Sequence, residues 1–201
     1  MLVILLSWKR GAFIIRLDCG TNMAVSPSSN SRRPPLNDSS LAELALRYVT
    51  RYATSREKLA AYLRRKIIER GWSGASEPAL ASLVERMAAL GYVDDAAFAS
   101  GRASALTCKG YGLRRVTDAL RAAGIAAEDA EPAREAARLA AWGAALRLAQ
   151  RRGIGPFAAA EADAKGRERW IGILLRAGHP FELARRIAWA RPGEIPDEES
   201  V

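Results

Sequence analysis

Three glycines at a nearly constant spacing constrain the fold of this chain more than any other feature. Gly71, Gly124 and Gly178 lie 53 and 54 residues apart. Apolar residues stand four and eight positions before each glycine, namely Ile67 and Leu63, Leu120 and Val116, and Leu174 and Trp170. This spacing is typical of one face of an α-helix whose last turn is closed by a left-handed glycine. The repetition predicts a tandem array of helical units, with Leu63, Val116 and Trp170 in equivalent core positions.

The composition agrees with a helical, basic protein. Hydrophobic residues make up 49% of the 201 positions, and the formal net charge is +9. Most of the positive charge comes from arginine, which pairs well with carboxylates and phosphates, so acidic protein surfaces and nucleic acids are candidate partners. Cys19 and Cys108 form neither a metal-ligand spacing nor a disulfide framework, as expected for a cytoplasmic protein. No stretch approaches the roughly 20 apolar residues that a membrane-spanning helix needs.

The chain divides into an extension, three repeats and a tail. Residues 1–22 lack helical periodicity, Met23 offers a second start, and a polar run follows, so we expect a disordered or mis-started extension over residues 1–38. The predicted three-helix repeats cover residues 39–92, 93–137 and 138–190, and an acidic tail covers 191–201. The sequence therefore predicts an all-α fold of three tandem three-helix repeats in an elongated, curved array.

Local signals predict several helix starts. Thr54 and Glu57 have the spacing of a capping box, and Asp94 is expected to cap the first helix of the second repeat. Pro132 is expected in the first turn of a helix, where its missing N–H is tolerated. The pattern over residues 126–153 fits either one long helix or two short helices broken near residues 137–141.

A Gly-x-Gly pair at Gly110 and Gly112 has two interpretations. One is a phosphate-binding loop, but no predicted strand precedes the pair and no third glycine completes that motif. The other is a tight turn between two helices, where the absence of a Cβ lets two backbones approach closely. The sequence favours the tight turn.

The ionisable residues argue against a catalytic site. His179, the one histidine of the chain, stands next to Pro180 just past a predicted helix end, which is typical of a capping or surface residue. Nucleophilic and metal-assisted mechanisms need several convergent groups, which one histidine and two distant cysteines do not supply. Asp94 and Asp95 suggest a metal pair, but consecutive helical residues point in different directions. We therefore expect no catalytic residue, no metal and no cofactor.

A set of basic residues on the predicted outer helix faces is the candidate partner-binding surface. Its members are Lys58, Arg64, Arg65, Lys109, Arg114, Arg115 and Arg121. If successive repeats stack in similar orientations, these side chains form one basic stripe along the array. The alternative is that arginine is simply the usual surface residue of this chain.

A helix-turn-helix DNA-binding protein is the alternative function, since three-helix units with a basic second helix resemble such modules. Arg114, Arg115 and Arg121 would then contact phosphates from one helix. That helix carries no Asn or Gln suited to reading adenine, although arginine can read guanine. A scaffold that binds an unrelated partner is a further alternative.

Two motifs in the centre of the chain are specific enough to indicate a family. The first is Leu90-Gly91-Tyr92-Val93-Asp94-Asp95 with Phe98-Ala99, and the second is Lys109-Gly110-Tyr111-Gly112 with Arg114-Arg115-Val116, Leu120 and Gly124-Ile125. Supporting motifs are Ala45-Leu46-x-Tyr48, Ser55-Arg56-x-x-Leu59, Arg151-x-Gly153-x-Gly155-Pro156-Phe157 and Leu175-x-Ala177-Gly178-His179. Over about residues 41–190 this pattern resembles the RecX regulatory proteins. His179-Pro180 departs from the family, in which a large aromatic residue is commoner at that place.

The resemblance implies tandem three-helix repeats and a cytoplasmic modulator of the RecA recombinase. Such proteins bind along the groove of the recombinase filament on DNA, and they usually inhibit ATP hydrolysis, strand exchange and co-protease activity. For this chain it implies a non-enzymatic regulator in homologous recombination, DNA repair and the SOS response. We expect a monomer that binds no membrane and that contacts DNA directly only weakly.

Overall fold

The computed structural model describes residues 33–198, which consist of α-helices joined by short turns. The helices are α1 (Asp38–Arg51), α2 (Arg56–Arg70), α3 (Leu80–Ala89), α4 (Asp95–Cys108), α5 (Leu113–Arg121), α6 (Ala127–Leu139), α7 (Ala141–Arg152), α8 (Ala164–Arg176) and α9 (Phe181–Trp189). A 3₁₀ turn spans Gly155–Phe157 between α7 and α8. The all-α prediction is confirmed over this range, whereas most of the predicted extension, residues 1–32, and residues 199–201 lie outside it. None of the helices from Asp38 to Trp189 is long and apolar enough to cross a membrane.

The helices bury three apolar clusters that follow one another along the chain. The first cluster runs from Leu36 to Val93, the second from Ala99 to Ala137, and the third from Ala145 to Ile187. Alanine makes up much of the second cluster, so its helices pack closely through small side chains. The clusters locate the cores but do not define repeat boundaries, so the division at residues 39–92, 93–137 and 138–190 and the curvature of the array stay predictions.

The three repeated glycines all have the positive φ that a left-handed helix end requires. Gly71, Gly124 and Gly178 have φ angles of 83°, 69° and 95°, in the region that favours glycine. Leu63 and Val116, eight residues before the first two glycines, are fully buried. The repeated glycines therefore mark the ends of α2, α5 and α8. The ends of α5 and α8 are closed in the same way, by bonds from Ile125 to Leu120 and from His179 to Leu174, whereas Gly71 has a ψ of 170° and bonds to Ile67.

Trp170 departs from this equivalence. Its indole is only partly buried against the third cluster, and Leu174 is the residue of α8 that is fully enclosed. The indole borders a shallow surface cleft that it shares with Trp189 and Arg167. The prediction that Trp170 is a core residue is therefore only partly correct, because its place on α8 opens to the surface.

Ser55, rather than Thr54, caps the start of α2. The Ser55 hydroxyl accepts a hydrogen bond from the Lys58 backbone N–H at 3.3 Å. Glu57 pairs with Arg64 at 3.0 Å instead of closing a capping box. The predicted box is wrong by one residue, because α2 begins at Arg56, one position later than the motif implied.

Two short helices occupy residues 127–152, so the second of the two alternatives is correct. Ala140 separates α6 from α7. Pro132 lies inside α6 and not in its first turn, because α6 already begins at Ala127. The proline ring removes one backbone donor from the interior of the helix.

The segment before α1 packs against the end of α2. Leu36 is fully buried, and its backbone N–H donates to the Gly71 carbonyl at 2.9 Å while its carbonyl accepts from the Ser73 N–H at 2.8 Å. Asn37 then caps α1 and forms a capping box with Ser40. Leu36 therefore belongs to the first cluster, although the sequence placed it in the disordered extension.

Candidate partner-binding surface and the junctions beneath it

The seven basic residues predicted to bind a partner are all exposed. They lie on α2 (Lys58, Arg64 and Arg65), just after α4 (Lys109) and on α5 (Arg114, Arg115 and Arg121). Exposure is necessary for a partner-binding role, and the two basic helices are the same ones that end at the first two repeated glycines. Their role in binding stays a prediction.

The cations on α2 have neighbours that moderate their charge. Arg64 pairs with Glu57 at 3.0 Å, and Arg65 pairs with Glu69 at 3.5 Å. The Lys58 ammonium lies 4.8 Å from the centre of the Phe98 ring. Exposed pairs of this kind contribute little to stability, but they lower the net charge that α2 presents.

The cations around α5 present more uncompensated charge. Within the described residues, neither Lys109 nor the three arginines of α5 forms an ion pair. Arg115 lies 5.8 Å from the Tyr111 ring centre, and the Arg114 guanidinium donates to the Leu175 carbonyl at 3.0 Å. Arg114 therefore joins α5 to α8, in addition to being exposed.

The start of α2 packs against the end of α5 in a first junction. The Ser55 hydroxyl donates to the Ala123 carbonyl at 2.6 Å. A Cβ on Gly124 would lie 2.4 Å from the Glu57 Cβ, so only a glycine fits there. The same glycine that ends α5 thus also admits the first turn of α2.

Asp95 closes the first junction from α4. Its carboxylate is buried, accepts a hydrogen bond from the Arg56 N–H at 2.9 Å and lies 3.5 Å from the Arg56 guanidinium. A carboxylate at this position complements the positive end of the α2 dipole. Asp94 caps α4 as predicted, accepting from the Ala97 N–H at 2.8 Å. The two aspartates therefore have separate structural roles, and the described residues contain no cluster suited to a metal ion.

The start of α5 packs against the end of α8 in a second junction. The Gly112 N–H donates to the Ala177 carbonyl at 3.0 Å, and the Arg114 N–H donates to the Gly178 carbonyl at 3.3 Å. A Cβ on Gly112 would lie 2.4 Å from the Gly178 oxygen. The interpretation of Gly110 and Gly112 as a tight turn for close backbone approach is confirmed.

The two junctions share one arrangement. In each, the residue just before a basic helix donates to the alanine just before a repeated glycine, so α2 contacts the end of α5 and α5 contacts the end of α8. The contacting positions are therefore equivalent in the two junctions, although the donor is a side-chain hydroxyl in the first and a backbone N–H in the second. The sequence analysis did not predict these contacts. The one available signal was the presence of glycine at positions 112, 124 and 178, where two backbones come close.

His179 is buried at the second junction, so its interpretation as a surface residue is wrong. Its exposed fraction is 4%, and its Nε2 bonds to the Gly110 carbonyl at 3.0 Å. Because a carbonyl only accepts, Nε2 is the protonated nitrogen, and the buried Nδ1 has no partner within the described residues. Burial lowers the pKa of His179 below the ordinary value of 6.5, while the bond to Gly110 acts in the opposite direction. The side chain is therefore neutral at physiological pH and unsuited to act as a surface base.

We expect the protein to lose stability as the pH falls below about 6.5. Because the pKa of His179 is lower in the folded protein than in the unfolded chain, the unfolded chain binds the proton first and is favoured by acid. Urea unfolding at about pH 7.5 and about pH 5.5 measures the loss of free energy. A His179→Gln variant keeps an N–H donor for the Gly110 carbonyl and should lose less between the two pH values. An equal loss in both proteins would contradict this role of His179.

Comparison with known proteins finds a relative in sequence and solved structures with a similar fold. The chain is 28% identical over 160 residues to the regulatory protein RecX of Myxococcus xanthus strain DK1622, covering 76% of this chain and 86% of that protein. The fold matches the crystal structure of RecX from Lactobacillus salivarius with a TM-score of 0.57 and 17% identity, covering 74% of this chain and 92% of that one. A second crystal structure, of a regulatory protein RecX, matches with a TM-score of 0.58 and 16% identity over 75% of this chain and 72% of that one. No protein-family model matches the sequence.

Proposed function

Taking this chain as a RecX family protein, an assignment that its sequence similarity and its fold support, we propose that it regulates the RecA recombinase. It binds the recombinase filament on DNA and inhibits its ATP hydrolysis, strand exchange and co-protease activity. It acts in the cytoplasm, as a monomer and without catalysis of its own. The resemblance to RecX proteins supports the identity of the partner, and the basic surface supports the mode of binding.

The repeated junction is the observation that best supports this proposal. The start of α2 contacts the end of α5 through Ser55 and Ala123, and the start of α5 contacts the end of α8 through the equivalent positions Gly112 and Ala177. A surface that recurs in this way suits a partner that is itself a repeating array, such as a filament of identical subunits. The exposed cations of α2 and α5 would then face acidic side chains and phosphates along that array.

The junctions weigh against the helix-turn-helix alternative. A recognition helix inserts its N-terminal residues into the major groove. Here the N-terminus of α5 is occupied by the carbonyls of Ala177 and Gly178, and the N-terminus of α2 is occupied by Asp95. Neither basic helix therefore offers a free N-terminus to base edges, although both can still contact phosphates along their lengths.

Titration of the protein into a DNA-dependent ATPase assay of the recombinase tests the proposal. We expect the rate of ATP hydrolysis to fall to a low plateau as the protein is added, with a half-maximal effect that weakens as salt is raised. An unchanged rate at concentrations well above that of the recombinase would contradict the proposal. Direct binding to bare DNA, measured in parallel, should be weaker than binding to the filament.

Charge reversal tests the basic stripe. We expect replacement of Arg64, Arg65, Arg115 and Arg121 by glutamate to weaken filament binding about tenfold or more and to flatten its salt dependence. Arg114 is left in place because it donates to the Leu175 carbonyl. The measurement is the half-maximal inhibitory concentration at several salt concentrations.

A matched control distinguishes an effect of this surface on binding from an effect of net charge. Arg102, Arg138, Arg176 and Arg185 are also exposed, and as in the test set two of them pair with a glutamate. Their reversal changes the net charge by the same amount, so it should weaken binding much less. Equal effects of the two sets, with both proteins folded, would favour arginine as an ordinary surface residue.

A further inference from the structure

Three tyrosines, two on α1 and α2 and one at the end of α1, form a row of aromatic rings at the edge of the first cluster. Tyr48 stacks on Tyr62 with ring centroids 4.1 Å apart and 17° between the ring planes. Tyr52 lies one helical turn after Tyr48 and contacts it as a tilted pair, with a centroid distance of 5.3 Å and 50° between the ring planes. We call these three residues the tyrosine row.

The inner part of the tyrosine row is structural, whereas its outer end is open. Tyr48 and Tyr62 are partly buried and pack against the first cluster. Tyr52 is 50% exposed and ends α1 in an extended backbone conformation. The row therefore presents one aromatic ring to solvent, held by two rings that the core fixes in place.

Cations flank both ends of the tyrosine row. The Arg51 guanidinium lies 5.5 Å from the Tyr52 ring centre, and Arg65 and Lys66 lie 5.7 and 5.9 Å from the Tyr62 ring centre. Arg65 and Lys66 share Glu69 as an ion-pair partner. Arg51 forms no ion pair within residues 33–198, so uncompensated charge and exposed ring coincide at the Tyr52 end.

An aromatic row beside an unpaired guanidinium matches the chemistry of a single nucleic-acid strand. Every base offers a flat π-face that can stack on an exposed aromatic ring, and each base is joined to a phosphate that a guanidinium can bind. An acidic peptide would pair with Arg51 but would make no use of the exposed Tyr52 ring. We propose that the tyrosine row binds single-stranded DNA, with a base stacked on Tyr52 and the neighbouring phosphate paired with Arg51.

The choice of DNA over RNA rests on the proposed function, in which the partner filament is assembled on DNA. The site itself rests on the ring geometry and the charges alone. Binding to bare oligonucleotides therefore tests the site without the recombinase. If the oligonucleotides fail to bind, the proposed inhibition of ATP hydrolysis is unaffected. If inhibition fails, the proposed DNA site is unaffected.

Fluorescence anisotropy with a labelled oligothymidine of about 12 nucleotides measures the site. An abasic strand of equal length keeps the phosphates and lacks the bases, so we expect the wild-type protein to bind it more weakly. Tyr52→Ala should weaken oligothymidine binding about fivefold or more and leave abasic binding unchanged. Tyr52→Phe should bind as the wild type does, because stacking uses the ring and not the hydroxyl.

Two controls identify the ring and the charge as the cause. Tyr92 is exposed to a similar extent, 46%, and lies outside the row, so Tyr92→Ala should bind oligothymidine normally. Arg51→Ala should weaken binding to both strands. It should also reduce the slope of log affinity against log salt concentration by about 0.7, the value for one phosphate contact on a single strand. Thermal unfolding of each variant confirms that the fold is kept.

Several outcomes would overturn the proposal. If the wild-type protein bound the oligothymidine and the abasic strand with equal affinity, base stacking would be ruled out as a source of binding. Normal oligothymidine binding by Tyr52→Ala would show that no base stacks on Tyr52. Normal oligothymidine binding with weakened filament binding in that variant would make the row a protein contact instead. Tighter binding of oligouridine than of oligothymidine would overturn the choice of DNA.

Discussion

Replacing Gly112 with alanine is expected to destabilise the protein by about 3 kcal/mol. The new Cβ would lie 2.4 Å from the Gly178 oxygen and 2.7 Å from the His179 nitrogen, and neither backbone atom can move aside cheaply. Because the φ of Gly112 is −85°, which any residue adopts, the cost comes from the clash and not from backbone strain. Urea unfolding followed by circular dichroism measures the loss.

Gly101 provides the matched control for this substitution. It lies inside α4, and a Cβ there meets no atom within 4 Å. Gly101→Ala should therefore stabilise the protein by about 0.5–1 kcal/mol, because alanine is the better helix former. If Gly112→Ala proved as mild as Gly101→Ala, the close approach of α5 to α8 would not be a requirement of the fold.

Replacing Asp95 with alanine is expected to cost about 2–3 kcal/mol. The substitution leaves the Arg56 N–H without its acceptor at a buried junction and removes the charge that complements the α2 dipole. The Arg56 side chain is 40% exposed, so the ion pair itself adds little to this cost. The free energy of unfolding from urea titrations gives the value.

Asp94 serves as the neighbouring comparison. It is exposed and caps only its own helix, so Asp94→Ala should cost about 1 kcal/mol. Asp95→Asn keeps an oxygen acceptor for the Arg56 N–H and should lie between the two. A larger loss at Asp94 than at Asp95 would contradict the junction role of Asp95.

Features encoded within a few residues of one another were predictable from the sequence. The glycine ends of α2, α5 and α8 follow from local helix periodicity, and the Asp94 cap follows from the residue types at a helix start. These features depend on neighbours in sequence, whose spacing a periodic pattern records. The same reasoning gave the all-α class.

Features that depend on distant partners were not predictable. The burial of His179 depends on the Gly110 carbonyl, and the burial of Asp95 depends on Arg56. Both are polar residues that a local pattern assigns to the surface, and they become buried because two clusters meet there. The partner-binding residues are hard to predict for the same reason, since exposure and charge indicate a surface but do not identify the molecule that binds it.

The sequence separation of the residues that meet at the junctions bears on how the protein folds. Each apolar cluster is drawn from a single consecutive stretch of sequence, so it can form without closing a long loop. The junctions, in contrast, join residues far apart: Ser55 and Ala123 are separated by 68 positions and Arg114 and Leu175 by 61. These separations favour formation of the local cores before the junctions close. The few contacts at the starts of α2 and α5 then determine whether the three cores unfold together or one after another.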